Sequence, residues 1–462
     1  MKRSLRAAVV LSLLLPCGFP RAPRDDSVGA PRLPAAVGQW APIAEADLPA
    51  ALKSLRQAVD LYAAKNYAAA FEALPSPEDA ARTATADYAL YYRAASLLRM
   101  DRFSEALESF HRLEKQYPGS SLLPDALLGQ CQALLKLQDA KSLLSMLDHP
   151  SLKKTSETLY YRARALEMAG KKTEAAEQYL RVYAGYPKSE HSDAARRGLS
   201  ALSPGALQGR RNYGARLERA EGLLRASDAR GARPLLVALG TVTAPDPASA
   251  RKRRFLLADA EYRVGRTSAA LTHLGKVAAA DDELHAKAIR LQASCYRRLK
   301  QESRFIAQRD KALSLYPESR ETEEICYSAA TYFDVNYESA KARNAYQTLL
   351  EKFPKGRHSQ RALWKLAIIR FASREYGEAA AAFWSHLRQH PAPASAGPAI
   401  YWLGRCYEAL GGRENARTLY RRVQALANES YYGIEAGTRA ASLAAAGGAD
   451  RVSIAGIDFA QV

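Results

Sequence analysis

Residues 399–423 read AIYWLGRCYEALGGRENARTLYRRV, and the placement of small, aromatic and turn residues in this stretch decides the fold. Leu403-Gly404 sets a small residue on a first helix, Tyr407 follows, Gly411-Gly412 breaks the helix, and Ala416 and Tyr420 lie one turn apart on a second. With Ala416 as anchor, an aromatic stands four residues later and a small residue, Gly404, twelve earlier. The register recurs at Ala106, Ala175, Ala342 and Ala379, which are followed by Phe110, Tyr179, Tyr346 and Phe383 and preceded by Ala94, Ala163, Ala330 and Ala367. Twelve residues after these four anchors comes Pro118, Pro187, Pro354 and Pro391; the fifth unit has Asn428 there. The anchors are 69, 167, 37 and 37 residues apart, and the first gap is two units of about 34.

The pattern resembles the tetratricopeptide repeat, a helical hairpin of about 34 residues. A small residue on the first helix admits the anchor alanine of the second, the aromatic fills the space against the next repeat, and proline stops the second helix because it lacks an N–H and clashes with the preceding turn. Because small, aromatic and proline positions agree together in four units, chance alanines in an Ala-rich chain do not explain them. The segments Ala51 to Leu74, Arg211 to Leu239, Arg253 to Val277 and Ala286 to Tyr316 are helical but keep only parts of the register. The expected fold is an all-α solenoid of about nine hairpins from residue 45 to 443, with a break near Thr241 to Ser249, where TVTAPDPAS is rich in Pro, Thr and Ser. Its divisions are a signal peptide and the start of a disordered tether (1–30), a Pro-rich linker (31–44), N-terminal repeats (45–240), C-terminal repeats (250–443), and a linker with a truncated next element (444–462).

Composition agrees. The chain has 462 residues, 48% of them hydrophobic, with 25 Tyr and 4 Trp, enough for a packed core. No apolar run reaches the ~20 residues that span a bilayer. Lys2, Arg3 and Arg6 precede an apolar core from Ala7 to Leu15, the order of an export signal. Cleavage after Val28-Gly29-Ala30 or lipidation at Cys17, with outer-membrane association, would follow, and the expected location is periplasmic. The remaining cysteines, Cys131, Cys295, Cys326 and Cys406, contain no CxxC and read as small apolar packing residues, their disulfide state left open by the sequence.

Chemistry-bearing motifs are scarce. There is no phosphate loop, GxGxxG, HExxH or GxSxG. His386 and His390 share a helix face but lack a nearby third ligand, so no metal or cofactor is expected. Glu323-Glu324 and Asp281-Asp282 fall at helix starts, where acidic residues suit the dipole. The net charge of +19 is spread over nearly every helix; its tightest runs are Arg251-Lys252-Arg253-Arg254 and Arg297-Arg298-Leu299-Lys300, and no basic-aromatic face of a nucleic-acid module is seen.

RALWKLAIIRFASREYGEAAAAF at 361–383, the hairpin at 399–423, Ser430-Tyr431-Tyr432-Gly433 and the closing Gly456-Ile457-Asp458-Phe459-Ala460 together resemble the superhelical part of the soluble lytic murein transglycosylases. The resemblance implies an exported scaffold that confines peptidoglycan, while glycan cleavage lies in a lysozyme-like domain absent from this chain. Glu429-Ser430 copies the family's catalytic Glu-Ser pair only superficially, and no catalytic residue is assigned. The alternative is a periplasmic tetratricopeptide adaptor for envelope proteins, which the tyrosine-proline ends at 117–118, 186–187 and 316–317 suit equally well.

Overall fold

The computed structural model describes residues 49–277, 282–391, 393–445 and 450–457. The expected export signal, Cys17 and the linker at 31–44 lie outside them. The fold is a tetratricopeptide-like α-solenoid, without strands among the described residues. It divides into two compact units, one ending at Ser227 and one beginning at Asp228.

The first unit holds the hairpins α1 (Ala50–Ala63) with α2 (Tyr67–Glu72), α4 (Ala86–Arg99) with α5 (Phe103–Gln116), α6 (Leu123–Lys136) with α7 (Ala140–Met146), and α8 (Ser156–Met168) with α9 (Lys172–Gly185). A short α3 (Pro77–Ala81), α10 (Ser192–Leu202) and α11 (Tyr213–Arg225) complete it. The second unit opens with α12 (Ala229–Ala238). Its hairpins are α13 (Pro247–Arg263) with α14 (Thr267–Leu274), α15 (Glu283–Arg298) with α16 (Glu302–Leu315), α17 (Arg320–Val335) with α18 (Ser339–Lys352), α19 (Ser359–Ala372) with α20 (Tyr376–Gln389), and α21 (Pro393–Ala409) with α22 (Arg413–Ala427). A last helix, α23 (Tyr431–Ala445), follows. Nine hairpins thus lie wholly within one unit or the other. The break expected at 241–249 lies inside the second unit and is over by Pro247, where α13 begins, capped by Asp246 accepting a 2.7 Å bond from the Ser249 amide.

One turn joins the helices of every hairpin. Lys65, Asp101, Gln138, Gly170, Gly265, Lys300, Tyr337, Arg374 and Gly411 all have left-handed φ. The next amide then bonds back to a carbonyl five residues earlier, as Arg102 N does to Leu97 O (3.0 Å) and Gly412 N to Tyr407 O (2.8 Å), which ends the first helix. Five residues past each left-handed residue lies a buried anchor: Ala70, Ala106, Leu143, Ala175, Ala270, Phe305, Ala342, Ala379 and Ala416. Twelve before each anchor stands a buried small residue: Ala58, Ala94, Cys131, Ala163, Ala258, Ala293, Ala330, Ala367 and Gly404. The register that the sequence displays in five units therefore runs through all nine. The second helices end alike where a proline follows: Tyr117, Tyr186, Tyr316, Phe353 and His390 take φ between −137° and −128° with ψ between 57° and 67°, because a residue before proline is excluded from the helical region.

The aromatics interlock neighbouring helices. A Cβ added at Gly129 would stand 2.4 Å from the Phe110 ring, and one at Gly198 2.6 Å from that of Tyr179, so the helix after each hairpin stays close only by lacking a side chain. Where the aromatic is a tyrosine, its hydroxyl donates to a carboxylate twelve residues earlier: Tyr179 to Glu167 (2.6 Å), Tyr346 to Asp334 (3.3 Å) and Tyr420 to Glu408 (2.5 Å). Where it is phenylalanine, that place is apolar: Leu98 before Phe110, Phe371 before Phe383.

The chain's last described segment differs from the linker anticipated at 444–462. Helix α23 continues through Ala445, and residues 450–457 lie against the final hairpin. The Asp450 carbonyl accepts from Glu414 N (3.1 Å), Val452 N donates to Asn415 Oδ1 (2.9 Å), and Val452, Ile454 and Ile457 pack on the core, covering an end that a repeat array would otherwise expose.

Candidate functional site

In the second unit, α17, α19, α21 and α23 contribute Tyr327, Arg361 with Trp364, Pro398 and Tyr432 to one cavity of about 590 Å³. Counted back from the anchors Ala342, Ala379 and Ala416, Tyr327 and Trp364 stand fifteen residues before theirs and Arg361 and Pro398 eighteen, so the lining comes from two places, about one turn apart, that recur on successive first helices. A smaller cavity of about 260 Å³, lined by Arg290, Ser294 and Arg297 of α15 and by Glu324, Ser328 and Thr331 of α17, shares Tyr327 with the first. The two adjoin at Tyr327, and their lining comes from the first helices α15, α17, α19 and α21, the last helix α23 and His386 of α20; the two are called the groove below.

Its walls are aromatic and its charges unevenly matched. Tyr327 stacks on His358 with centroids 4.0 Å apart and planes 4° from parallel. Trp364 meets Phe383 and His386 edge-on at 5.6 and 5.8 Å. Lys365 pairs with Asp334 at 2.8 Å, Arg290 with Glu321, and Glu324 with Arg357 at 3.3 Å. The guanidinium groups of Arg297 and Arg361 make no hydrogen bond or ion pair among the described residues. His386, only 2% exposed, closes the cavity from α20. Neither of its ring nitrogens has a partner among the described residues, and the nearby Gln360 backbone does not meet bonding geometry. Burial holds its pKa below the ordinary histidine value, with the His390 ring adding to the effect, so the neutral imidazole is favoured.

The groove absorbs one residue of the motif at 430–433. Ser430 caps α23 by accepting from Gly433 N at 3.1 Å, Tyr431 is exposed, and Tyr432 turns into the cavity. A Cβ on Gly433 would lie 2.0 Å from the Ala427 carbonyl oxygen, so the glycine is needed by the tight junction. Glu429 is exposed in that junction. The repeat-packing residues Ala106, Ala175, Ala342, Ala379, Ala416 and Gly404 are all buried between helices, away from the groove.

Other sequence candidates serve structure. The rings of His386 and His390 stand 5.6 Å apart. Glu323 accepts from His358 N at 2.8 Å, tying α17 to the start of α19. Asp282 caps α15 and pairs with Arg251 at 2.7 Å, which pulls its carboxyl down to about 2; Asp281 lies outside the described residues. Within the basic runs, Arg253 and Arg254 donate to the Leu236 and Lys276 carbonyls, and Arg298 donates to the Tyr262 carbonyl and sits 3.6 Å from its ring. The four cysteines are free and buried; burial pushes Cys131 and Cys406 to about 12 and Cys295 and Cys326 to about 11. Among the described residues Glu157, Glu190 and His191 gather within metal-ligand reach, in the first unit. Glu157 already accepts from Tyr161 and Gln132, His191 stacks on Tyr160, and Glu190 is exposed.

Sequence reasoning passed over Tyr327, Arg361 and Trp364. The signal was present: the same period that locates the anchors locates the outward places of the first helices.

The geometry defines a class, helical-repeat proteins whose exposed first-helix face carries a groove. Comparison with known families agrees. Residues 88–120, 157–189 and 398–427 match one tetratricopeptide repeat model, and residues 327–396 match another. No curated protein matches the sequence. Among solved structures, the P58(IPK) TPR domain is 15% identical, covering 76% of this chain and 96% of its own, with a TM-score of 0.27. Naa15/Naa10 bound to HypK-THB is 16% identical over 84% of this chain and 62% of its own, TM-score 0.35. A tetratricopeptide repeat protein from Parabacteroides merdae ATCC 43184 is 13% identical over 61% and 98%, TM-score 0.28. The resemblance to lytic murein transglycosylases is corrected by these findings. Its carriers at 361–383 and 399–423 fall within tetratricopeptide matches, and its SYYG segment is the helix junction just described. Repeat packing, common to many proteins, produced the likeness.

Proposed function

We propose that the chain is a scaffold that holds a protein partner along the first-helix face of its second unit, and that it does so in the cell envelope as an exported adaptor. The observation that carries the reading is the pair of adjoining cavities from Arg297 to Tyr432, lined by aromatics and holding two arginine side chains that make no ion pair among the described residues. Helical repeats recognise partners through such extended faces. Export is supported by Lys2, Arg3 and Arg6 before the apolar Ala7 to Leu15.

A photo-crosslinking amino acid placed at Arg297 or Arg361 tests the scaffold. In the cell that makes the protein, discrete adducts with another polypeptide are expected at both positions and not at exposed second-helix positions such as Lys352. Adducts confined to the second-helix side would overturn the reading. For location, mass spectrometry of the mature N-terminus should find a start beyond the first ~20 residues; an intact Met1 in the cytoplasmic fraction would refute export.

A further inference from the structure

We infer that the larger end of the groove takes an extended peptide bearing a bulky apolar side chain beside carboxylates, an inference that rests on the scaffold reading above. Three features converge. The cavity of about 590 Å³ is walled by Tyr327, Trp364, Pro398 and Tyr432, which favours an apolar side chain over a charged one. Its polar lining is Gln360, Arg361, Lys365 and His386, and of these His386 is 2% exposed with both ring nitrogens unpartnered among the described residues. A buried polar group left without a partner is costly, and native structures rarely keep one without a use. A neutral imidazole offers one donor and one acceptor, the complement that a peptide group presents when it crosses the cavity. The third feature is charge. Arg361 and Lys365 stand four residues apart on α19; Asp334 neutralises Lys365, whereas Arg361 has no ion pair among the described residues. Carboxylates flanking the apolar side chain would meet that charge, and a basic peptide would be repelled.

Display selection tests this with the whole protein. Random dodecapeptides are selected on the immobilised full chain, and enriched sequences are synthesised for fluorescence-anisotropy titration. Enrichment of an aromatic or branched aliphatic residue with Asp or Glu within two positions is expected. Arg361→Glu, at an exposed position, should keep the helical spectrum and weaken such peptides by roughly tenfold or more, as loss of a charged contact with added repulsion implies. His386→Phe, which preserves ring size but removes both nitrogens, should weaken them by about the same factor. If that variant does not fold, Arg361→Glu together with the half-buried Tyr432→Ala decides. Basic or unpatterned peptides, no enrichment, or acidic peptides indifferent to Arg361→Glu would each overturn the inference. Crosslinks at Arg297 and Arg361 alongside such a result would show that the scaffold reading stands while the ligand chemistry is wrong.

Discussion

Eight of the nine hairpins are of two kinds that differ in one helix; α15/α16 is of neither, its 14-residue second helix carrying Phe305 as the anchor and Arg309 four residues on. In α4/α5, α8/α9, α17/α18, α19/α20 and α21/α22 the second helix runs 14 or 15 residues, and the place four after the anchor is Phe110, Tyr179, Tyr346, Phe383 or Tyr420. In α1/α2, α6/α7 and α13/α14 the second helix has only 6, 7 or 8 residues, and that place holds Leu74, Leu147 or Leu274. Turn, anchor and small residue are common to both kinds. The difference teaches that the turn and the small-residue contact specify a hairpin, while the aromatic and the helix that carries it specify how tightly the next helix is held.

The largest effect separating the two kinds should come from emptying the place itself. Phe110→Ala and Tyr420→Ala remove fully buried rings and are expected to cost ~3–5 kcal/mol. Leu74→Ala and Leu147→Ala, at or beyond the end of their helices, should cost ~2 kcal/mol, since these side chains lie closer to solvent. Urea denaturation of the full chain followed by circular dichroism measures both, and equal losses would break the distinction.

A second effect separates tyrosine from phenylalanine hairpins. Phe110→Tyr sets a hydroxyl opposite Leu98 with no acceptor and should cost ~1–3 kcal/mol, as a buried group without a partner does. Adding Leu98→Glu restores the arrangement of Tyr179 with Glu167 and should recover ~1 kcal/mol of it. A double-mutant cycle without coupling would mean that the twelve-residue pairing is incidental.

Thiol labelling offers a smaller, kinetic comparison in a Cys17→Ser background. Cys131 and Cys406 are both fully buried, with thiols raised to about 12, so neither should react with an aromatic disulfide reagent at pH 8 until its hairpin opens. Cys131 belongs to a hairpin with a short second helix and should be modified before Cys406, whose hairpin has a long one. The reverse order would show that the second helix does not govern local opening.

These contrasts also mark what the sequence makes legible. Proline and aromatic side chains are rare and fixed in spacing, so the five units with an aromatic four residues after the anchor stand out from Ala106 to Ala416. Leucine and alanine are abundant, so Ala70 with Leu74, or Leu143 with Leu147, carry the same register without announcing it. The groove is hidden for a related reason. Tyr327 with Trp364, and Arg361 with Pro398, repeat in place but not in residue type, because packing does not constrain an outward face. The likeness to the transglycosylases failed through the converse: packing residues shared by many repeat proteins resemble a family signature.

The smallest effect concerns the feature that both kinds of hairpin share. Tyr337 is left-handed, with φ of 61°, and its side chain is 92% exposed, so the ring gives up little contact if removed. An L-residue in this region suffers a clash of its Cβ with the following carbonyl that glycine avoids. Tyr337→Gly should therefore raise stability by ~1 kcal/mol, less the entropy that glycine returns to the unfolded chain. Gln138→Gly should do the same in α6/α7, where the second helix is short. Gly170→Ala and Gly411→Ala should lose a similar amount, because nothing but backbone conformation opposes the added methyl. Thermal unfolding of the four variants would measure these shifts. A gain at Tyr337 without one at Gln138 would show that the turn is not independent of the helix that follows it, and would move the difference between the two kinds of hairpin from the second helix into the turn.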